Sequence, residues 1–214
     1  EEEQLQVLTR SLGLDQADVL AVLKEIGGDT AGALSFGEPA DPSRWAYTPL
    51  TQFYGTDDAP EALERHFADL GRRPFLVGEE GVRQSLAGGQ KKSALAVLGP
   101  DGVPVLRLPG PNDVLAIPLN GAPSTLIVKP DNPNLPAITE NEVWCLRIAQ
   151  AVGIEAAQAT ILKASGRTAI GVLRYDRRLG RNDQILRLHQ EDFAQANGFP
   201  PGRKYERGTL RGLD

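Results

Sequence analysis

"STLIVKPDNPNLPAITENEVWCLRIAQAVG", residues 124–153, decides how this chain folds. Its first part is a strand: Leu126, Ile127 and Val128 form a continuous apolar run, and Pro130, which has no N–H to give a ladder, ends it. A loop rich in Pro and Asn follows. From Thr139 to Gly153 the residues read as a helix, closed by the glycine. Two charges stand out. Lys129 occupies a half-buried strand position, where an ammonium needs either solvent at the rim or an anionic partner. Glu142 has two readings. With Thr139 as N-cap, "TENE" is a capping box and the carboxylate returns to the cap N–H. Alternatively, positions 142, 145, 149 and 152 follow helical spacing, so Glu142 shares an inward face with Cys145, Ala149 and Val152 and calls for a cation. The chain between Lys129 and Glu142 is long enough for a strand end, a loop and a first helical turn, so the two can meet.

Outward from this stretch, "SALAVL", "GPDG" and "VPVLRLP" form a hairpin upstream. Downstream, "AQATILKA", "SGR" and "TAIGVLRYD" form another. Strand, strand, strand, helix, strand, strand describes an antiparallel sheet carrying one main helix, an α+β lobe. Residues 4–26 read as two short helices, with Val19, Leu20, Val22, Leu23 and Ile26 at roughly helical spacing. Residues 38–60 read as an extended connector rich in Pro, Asp and Thr, and a helix follows over about 58–70. The tail "RLHQEDFAQANGFPPGRKYE" ends in a helix that stops before two prolines.

Composition narrows the functional classes. The 214 residues, 41% of them apolar, can bury a sizeable core. The single Cys145 cannot pair within the chain, and no signal peptide or long apolar span is visible, so the expected setting is cytoplasmic with no membrane role. A net charge of −5 offers no basic field for direct nucleic-acid binding. The chain opens on "EEE" and contains no Met, which reads as a fragment.

Among reactive residues, "RQSLAGGQKKSALAVL" (83–98) raises the question of phosphate binding. It is not G-x-x-x-x-G-K-[ST], because Gly88 and Gly89 are adjacent. Their N–H groups could approach an anion, with Gln90, Lys91, Lys92 and Ser93 following; a solvated turn with basic residues is the alternative. Cys145 reads as core. His66 and His189 have no Cys or His at metal-ligand spacing, and no G-x-S-x-G occurs. "RYDRR" is a solvated turn or an ion-pair cluster, with Asp176 and Arg177 near the end of a cleft. A strand lysine paired with a helix glutamate is the arrangement by which protein kinases hold a lysine against nucleotide phosphates.

Five stretches in order, "SLAGGQKKSAL", "STLIVKP", "ENEVWCLRIA", "VLRYDRR" and "RLHQEDFAQANGFPPGRKYE", resemble the HipA-like serine/threonine kinase toxins of bacterial toxin–antitoxin modules, as does "IGGDTAGAL" near the front. The resemblance implies a kinase-like N-terminal lobe that binds ATP with Mg²⁺. It implies a loop over the phosphates made by Gly88, Gly89 and Gln90, with Ser85 as autophosphorylation site and Lys92 as the loop lysine. Lys129 then faces the phosphates with Glu142 as partner, and "HQEDF" is the hinge, where Gln190, Glu191 and Phe193 meet adenine. Lys91 departs from the family's pattern, which often has an acidic residue there. The implied organisation is a helical segment and connector over 1–70, the ATP-side β-rich lobe over 71–188, and over 189–214 the hinge and start of a helical lobe. The catalytic Asp and a metal-binding Asp are expected beyond residue 214, and no metal ligand is assigned within the chain. Implied partners are a DNA-binding antitoxin of the HipB type, DNA indirectly through it, and a protein substrate such as an aminoacyl-tRNA synthetase. A non-catalytic kinase-like module that binds nucleotide or an antitoxin is the other reading.

Overall fold

A computed structural model of the chain describes residues 6, 8–10, 12–15, 18–37, 41–73, 76, 79–84 and 91–200. Among these, seven strands form one antiparallel sheet in the order β1-β4-β2-β5-β7-β6, with β3 paired to β2 off this path. The strands are β1 (Ala46–Pro49), β2 (Ser93–Leu98), β3 (Pro104–Val105), β4 (Val114–Leu119), β5 (Leu126–Pro130), β6 (Ala159–Lys163) and β7 (Thr168–Leu173). A separate hairpin pairs β8 (Arg177–Leu179) with β9 (Ile185–Arg187).

Sequence periodicity decides which sheet face meets which helix. Along β5, Leu126 and Val128 are buried while Ile127 and Lys129 are half-buried, the alternation of a strand whose two faces differ. Leu126 and Val128 join Leu95, Val97 and Ile117 in the main core. Helices α2 (Leu50–Tyr54) and α3 (Ala59–Arg72) cover that face through Leu50, Ala62, Leu63 and Phe67. Leu50, Leu63 and Phe67, each buried, contribute roughly 2 kcal/mol apiece of transfer free energy. Helix α3 starts where Asp58 accepts from the Glu61 N–H at 3.1 Å, with Pro60 in the first turn. The opposite face is covered at one end by α4 (Ile138–Ala151), whose Val143 and Leu146 pack on Ala159, Ile170 and Val172.

Several expectations need correction. Residues 46–49, read as part of a connector, are strand β1 and pair with β4. Residues 114–119, for which the sequence offers no expectation, are strand β4, although "VLAIPL" contains a proline that argues against a ladder position. The hairpin arm "VPVLRLP" contributes only Pro104 and Val105. Thr139 does not cap α4. The cap lies two residues earlier, at Ala137 in a left-handed conformation, with the Ile138 N–H donating to Leu135 O at 3.2 Å. Thr139 and Val143 are therefore the buried positions, the inward face is rotated away from the expected 142/145/149/152 stripe, and Cys145 and Val152 are exposed.

At the front, α1 (Val19–Ile26) is capped by Asp18, which accepts from the Ala21 N–H at 2.9 Å. Val22 and Ile26 bury against Leu8 in a small satellite core, while Val19 and Leu20 face solvent. No helix among the described residues is long and apolar enough to cross a membrane.

Candidate functional site

Between β5, β7, α4 and the segment after β9 lies a cleft of about 300 Å³. Its floor is Ile127 and Lys129 of β5 with Val172 and Leu173 of β7, and Leu146 of α4 forms one wall. Lys129 Nζ donates to Glu142 Oε1 at 2.7 Å inside this cleft. Glu142 has no part in a capping box because the helix starts too early for one, and its carboxylate is free to reach across to the strand. Both side chains keep some exposure, 23% and 32%, so the pair is open to a ligand.

Strand register sets the direction of the cleft. Lys129 pairs with Ile170 and Leu126 with Leu173, so three residues, ~10 Å at the usual strand rise, separate the lysine from the end of β7. Extending the β2–β5 register by one residue beyond Ser93↔Val128 brings half-buried Lys92 opposite Lys129. Lys129 with its partner Glu142 marks one end of the cleft. At the other end stand Tyr175, Asp176 and Gln190, and the Tyr175 hydroxyl hydrogen-bonds Gln190 Oε1. Polar groups at both ends with an apolar floor between them suit a ligand that is anionic at one end and flat and apolar at the other.

Of the expected hinge, Gln190 reaches the cleft. Glu191 is exposed with its carboxylate 3.7 Å from His189, and Phe193 is 88% exposed at the start of α5 (Phe193–Ala196). Neither is part of the cleft lining. Helix α5 is fixed instead by a capping box between Asp192 and Gln195. Ser85, Gly88, Gly89 and Gln90 lie outside the described residues. The segment that leads into them is anchored: Gln84 bridges to Asp29, and its Oε1 accepts from the Ala94 N–H at 2.9 Å. Among the described residues no group of three His, Cys, Asp or Glu side chains could hold a metal ion.

Beside the cleft lies a buried charge cluster, one of the two readings the sequence left open, whose link to Asp29 sequence reading missed. "RYDRR" is an ion-pair cluster rather than a solvated turn: Arg174, Asp176 and Arg177 are each at most 5% exposed. Arg174 grips Asp176 through Nε at 2.9 Å and Nη2 at 2.6 Å, a bidentate fork. Asp29, from the front of the chain, accepts from Arg177 at 2.8 Å, from Arg187 Nη2 at 3.1 Å and from the Ser124 hydroxyl at 2.6 Å. The Gly32 N–H donates to Asp176 at 2.7 Å. Burial pushes the Asp176 carboxyl up, but the Arg174 hydrogen bonds, the Arg174 and Arg177 charges and the Gly32 N–H outweigh it and hold the group below the usual carboxylate range. Burial likewise lowers Arg177, against the raising effect of Asp29 and Asp176. The available signal was charge density: three arginines and an aspartate in five residues after an apolar strand.

The HipA-like C-terminal domain family matches residues 84–213. Y4mE of Sinorhizobium fredii, a protein named as a kinase, is 38% identical over 96% of this chain and 46% of its own length. The serine/threonine-protein kinase toxin HipA of Shewanella oneidensis is 31% identical over 100% of this chain and 45% of its own length. The chain therefore spans less than half the length of these relatives. A solved structure of the Shewanella oneidensis HipA, HipB and operator DNA complex superposes with a TM-score of 0.67 at 29% identity, covering 97% of this chain and 44% of the matched chain.

Proposed function

This chain belongs to the HipA-like family, and from that premise we propose that it forms the nucleotide-side lobe of an ATP-dependent serine/threonine protein kinase of the HipA toxin type. The observation that carries the reading is the Lys129–Glu142 pair at 2.7 Å in a cleft whose floor between its polar ends is apolar. A nucleotide would lie with its phosphates at the Lys129 end and its base toward Tyr175 and Gln190. Glu142 holds the ammonium in place, and Lys129 supplies charge to oxygens whose negative charge grows as the γ-phosphoryl group transfers. Lys92 would add a second positive charge. The loop of Gly88, Gly89 and Gln90 would cover the phosphates with N–H donors, and Ser85 would be the site of autophosphorylation. Mg²⁺, when bound together with the nucleotide, would supply charge neutralisation at the phosphate end.

At the level of the whole protein, the proposed reaction moves the γ-phosphoryl group of ATP to a Ser or Thr hydroxyl of a protein such as an aminoacyl-tRNA synthetase. The proposed restraint is an antitoxin of the HipB type, the partner named in the matched complex, through which DNA is reached. A non-catalytic module that binds nucleotide or antitoxin is the second reading.

Calorimetry with ATP on the full-length gene product and on its Lys129→Ala variant tests the site, and transfer of labelled phosphate to Ser85 or to a protein substrate tests the reaction. Binding and transfer both lost in the variant are expected. ATP binding unchanged by Lys129→Ala would overturn the nucleotide reading, and binding without transfer would favour the module.

A further inference from the structure

The cleft has a wall that the matched family domain, residues 84–213, does not contain. Ala31, more than fifty positions upstream of that domain, lines the cleft beside Asp176 and Gln190. Its neighbours hold it there with buried groups. Asp29 is 1% exposed, and its backbone N–H donates to Arg83 O at 2.8 Å while its carboxylate takes Arg177, Arg187 and Ser124. Thr30 O accepts from Arg174 at 2.8 Å. Gly32 donates to Asp176 and has φ +81, and a Cβ there would stand 3.2 Å from the Gln190 backbone N. Glycine at 32 thus lets the segment lie directly on the chain that carries Gln190. Gly28 serves the same end: a Cβ there would lie 2.8 Å from the Arg83 carbonyl O. Charged groups sealed on both sides of Ala31 do not permit the segment to drift, because separating them would leave arginines and aspartates buried without partners.

We propose that residues 29–32 form the wall that limits ligand size at the base end of the cleft, with Ala31 the residue that faces the ligand. This rests on the nucleotide reading above. Ala31 is well suited to the role: its side chain is a single exposed methyl at the end of the cleft away from Lys129, so a larger residue there extends into ligand space without displacing core. Its position beside Gln190 puts it next to the outer edge of a base whose phosphates lie at Lys129. The "IGGDTAGAL" motif is then a specificity element built by the front of the chain for a site formed mostly by its later half.

The test uses the full-length gene product and two substitutions, with ATP and an ATP carrying a benzyl group on its exocyclic amine as probes. Ala31→Trp is expected to weaken ATP binding at least about tenfold while the melting temperature stays within about 2 °C of wild type. Ala31→Gly is expected to shift preference toward the benzyl analogue by about tenfold relative to wild type, a change that a merely structural role for the segment would not produce. Wild-type protein that binds ATP, together with an Ala31→Trp variant that binds it equally well, overturns the wall and leaves the nucleotide reading standing. Wild-type protein that binds no ATP overturns both.

Discussion

Arg177 donates to Asp29 at 2.8 Å across 148 residues of chain, and neither side chain is more than 2% exposed. The contact joins the front of the chain to the hairpin beside the cleft. Removing the aspartate charge takes away the carboxylate that Arg187 pairs with and leaves Arg174 and Arg177 with Asp176 alone. Asp29→Asn is therefore expected to destabilise the fold by about 3–5 kcal/mol, the usual cost of breaking a buried pair by removing one partner. Urea unfolding checks this, and a loss below about 1 kcal/mol would show that the cluster repacks without its anion.

Glu142 is expected to matter for ligand binding more than for folding. The Lys129–Glu142 pair retains 23% and 32% side-chain exposure, and pairs open to solvent contribute only about 0–1 kcal/mol to stability. Glu142→Gln should leave the unfolding midpoint nearly unchanged while ATP affinity falls, because the ammonium loses the group that orients it. Equal losses of stability and affinity would make the pair structural.

His66 should make the lobe acid-sensitive. It is fully buried, its Nδ1 shares a 3.2 Å hydrogen bond with the Tyr54 hydroxyl, and burial pushes its pKa down to about 4, against the opposing charge of Asp69. Between pH 6.5 and about 4 the unfolded chain takes up a proton that the folded chain refuses, so stability falls as pH drops through that window. The full effect is roughly 3 kcal/mol. Asp176, with its lowered pKa, loses its contribution only at more acidic pH, below the ordinary carboxylate value. Denaturant unfolding at several pH values should show the loss in wild type and a flatter profile in His66→Gln; superimposable profiles would assign the acid sensitivity elsewhere.

Cys145 lies on the exposed side of α4. A thiol-specific chromogenic reagent should titrate one thiol in the native protein without denaturant. Labelling that needs denaturant would mean that this side of α4 is covered.

The sequence by itself determined the β5–α4 unit and the hairpin of β6 and β7. Leu126 to Val128 form a strand that Pro130 ends, and residues 139–151 lie in one helix, because period and punctuation act within a few neighbours. The meeting of Lys129 with Glu142 was legible for the same reason: the loop between them is short, and a strand lysine and a helix glutamate both need a counter-charge. The tertiary structure alone decided which face of α4 turns inward. That depends on how α4 packs against β6 and β7, which takes Val143 and Leu146 inward and leaves Cys145 in solvent. It also decided that residues 46–49 and 114–119 would be strands, since their proline-bearing segments gain order only from the partners they pair with. The joining of Asp29 to Arg177 and of Gly32 to Asp176 was likewise beyond local reading. Charges separated by more than 140 positions show their partners only when the chain has brought them together, and a buried carboxylate looks the same in sequence as a solvated one.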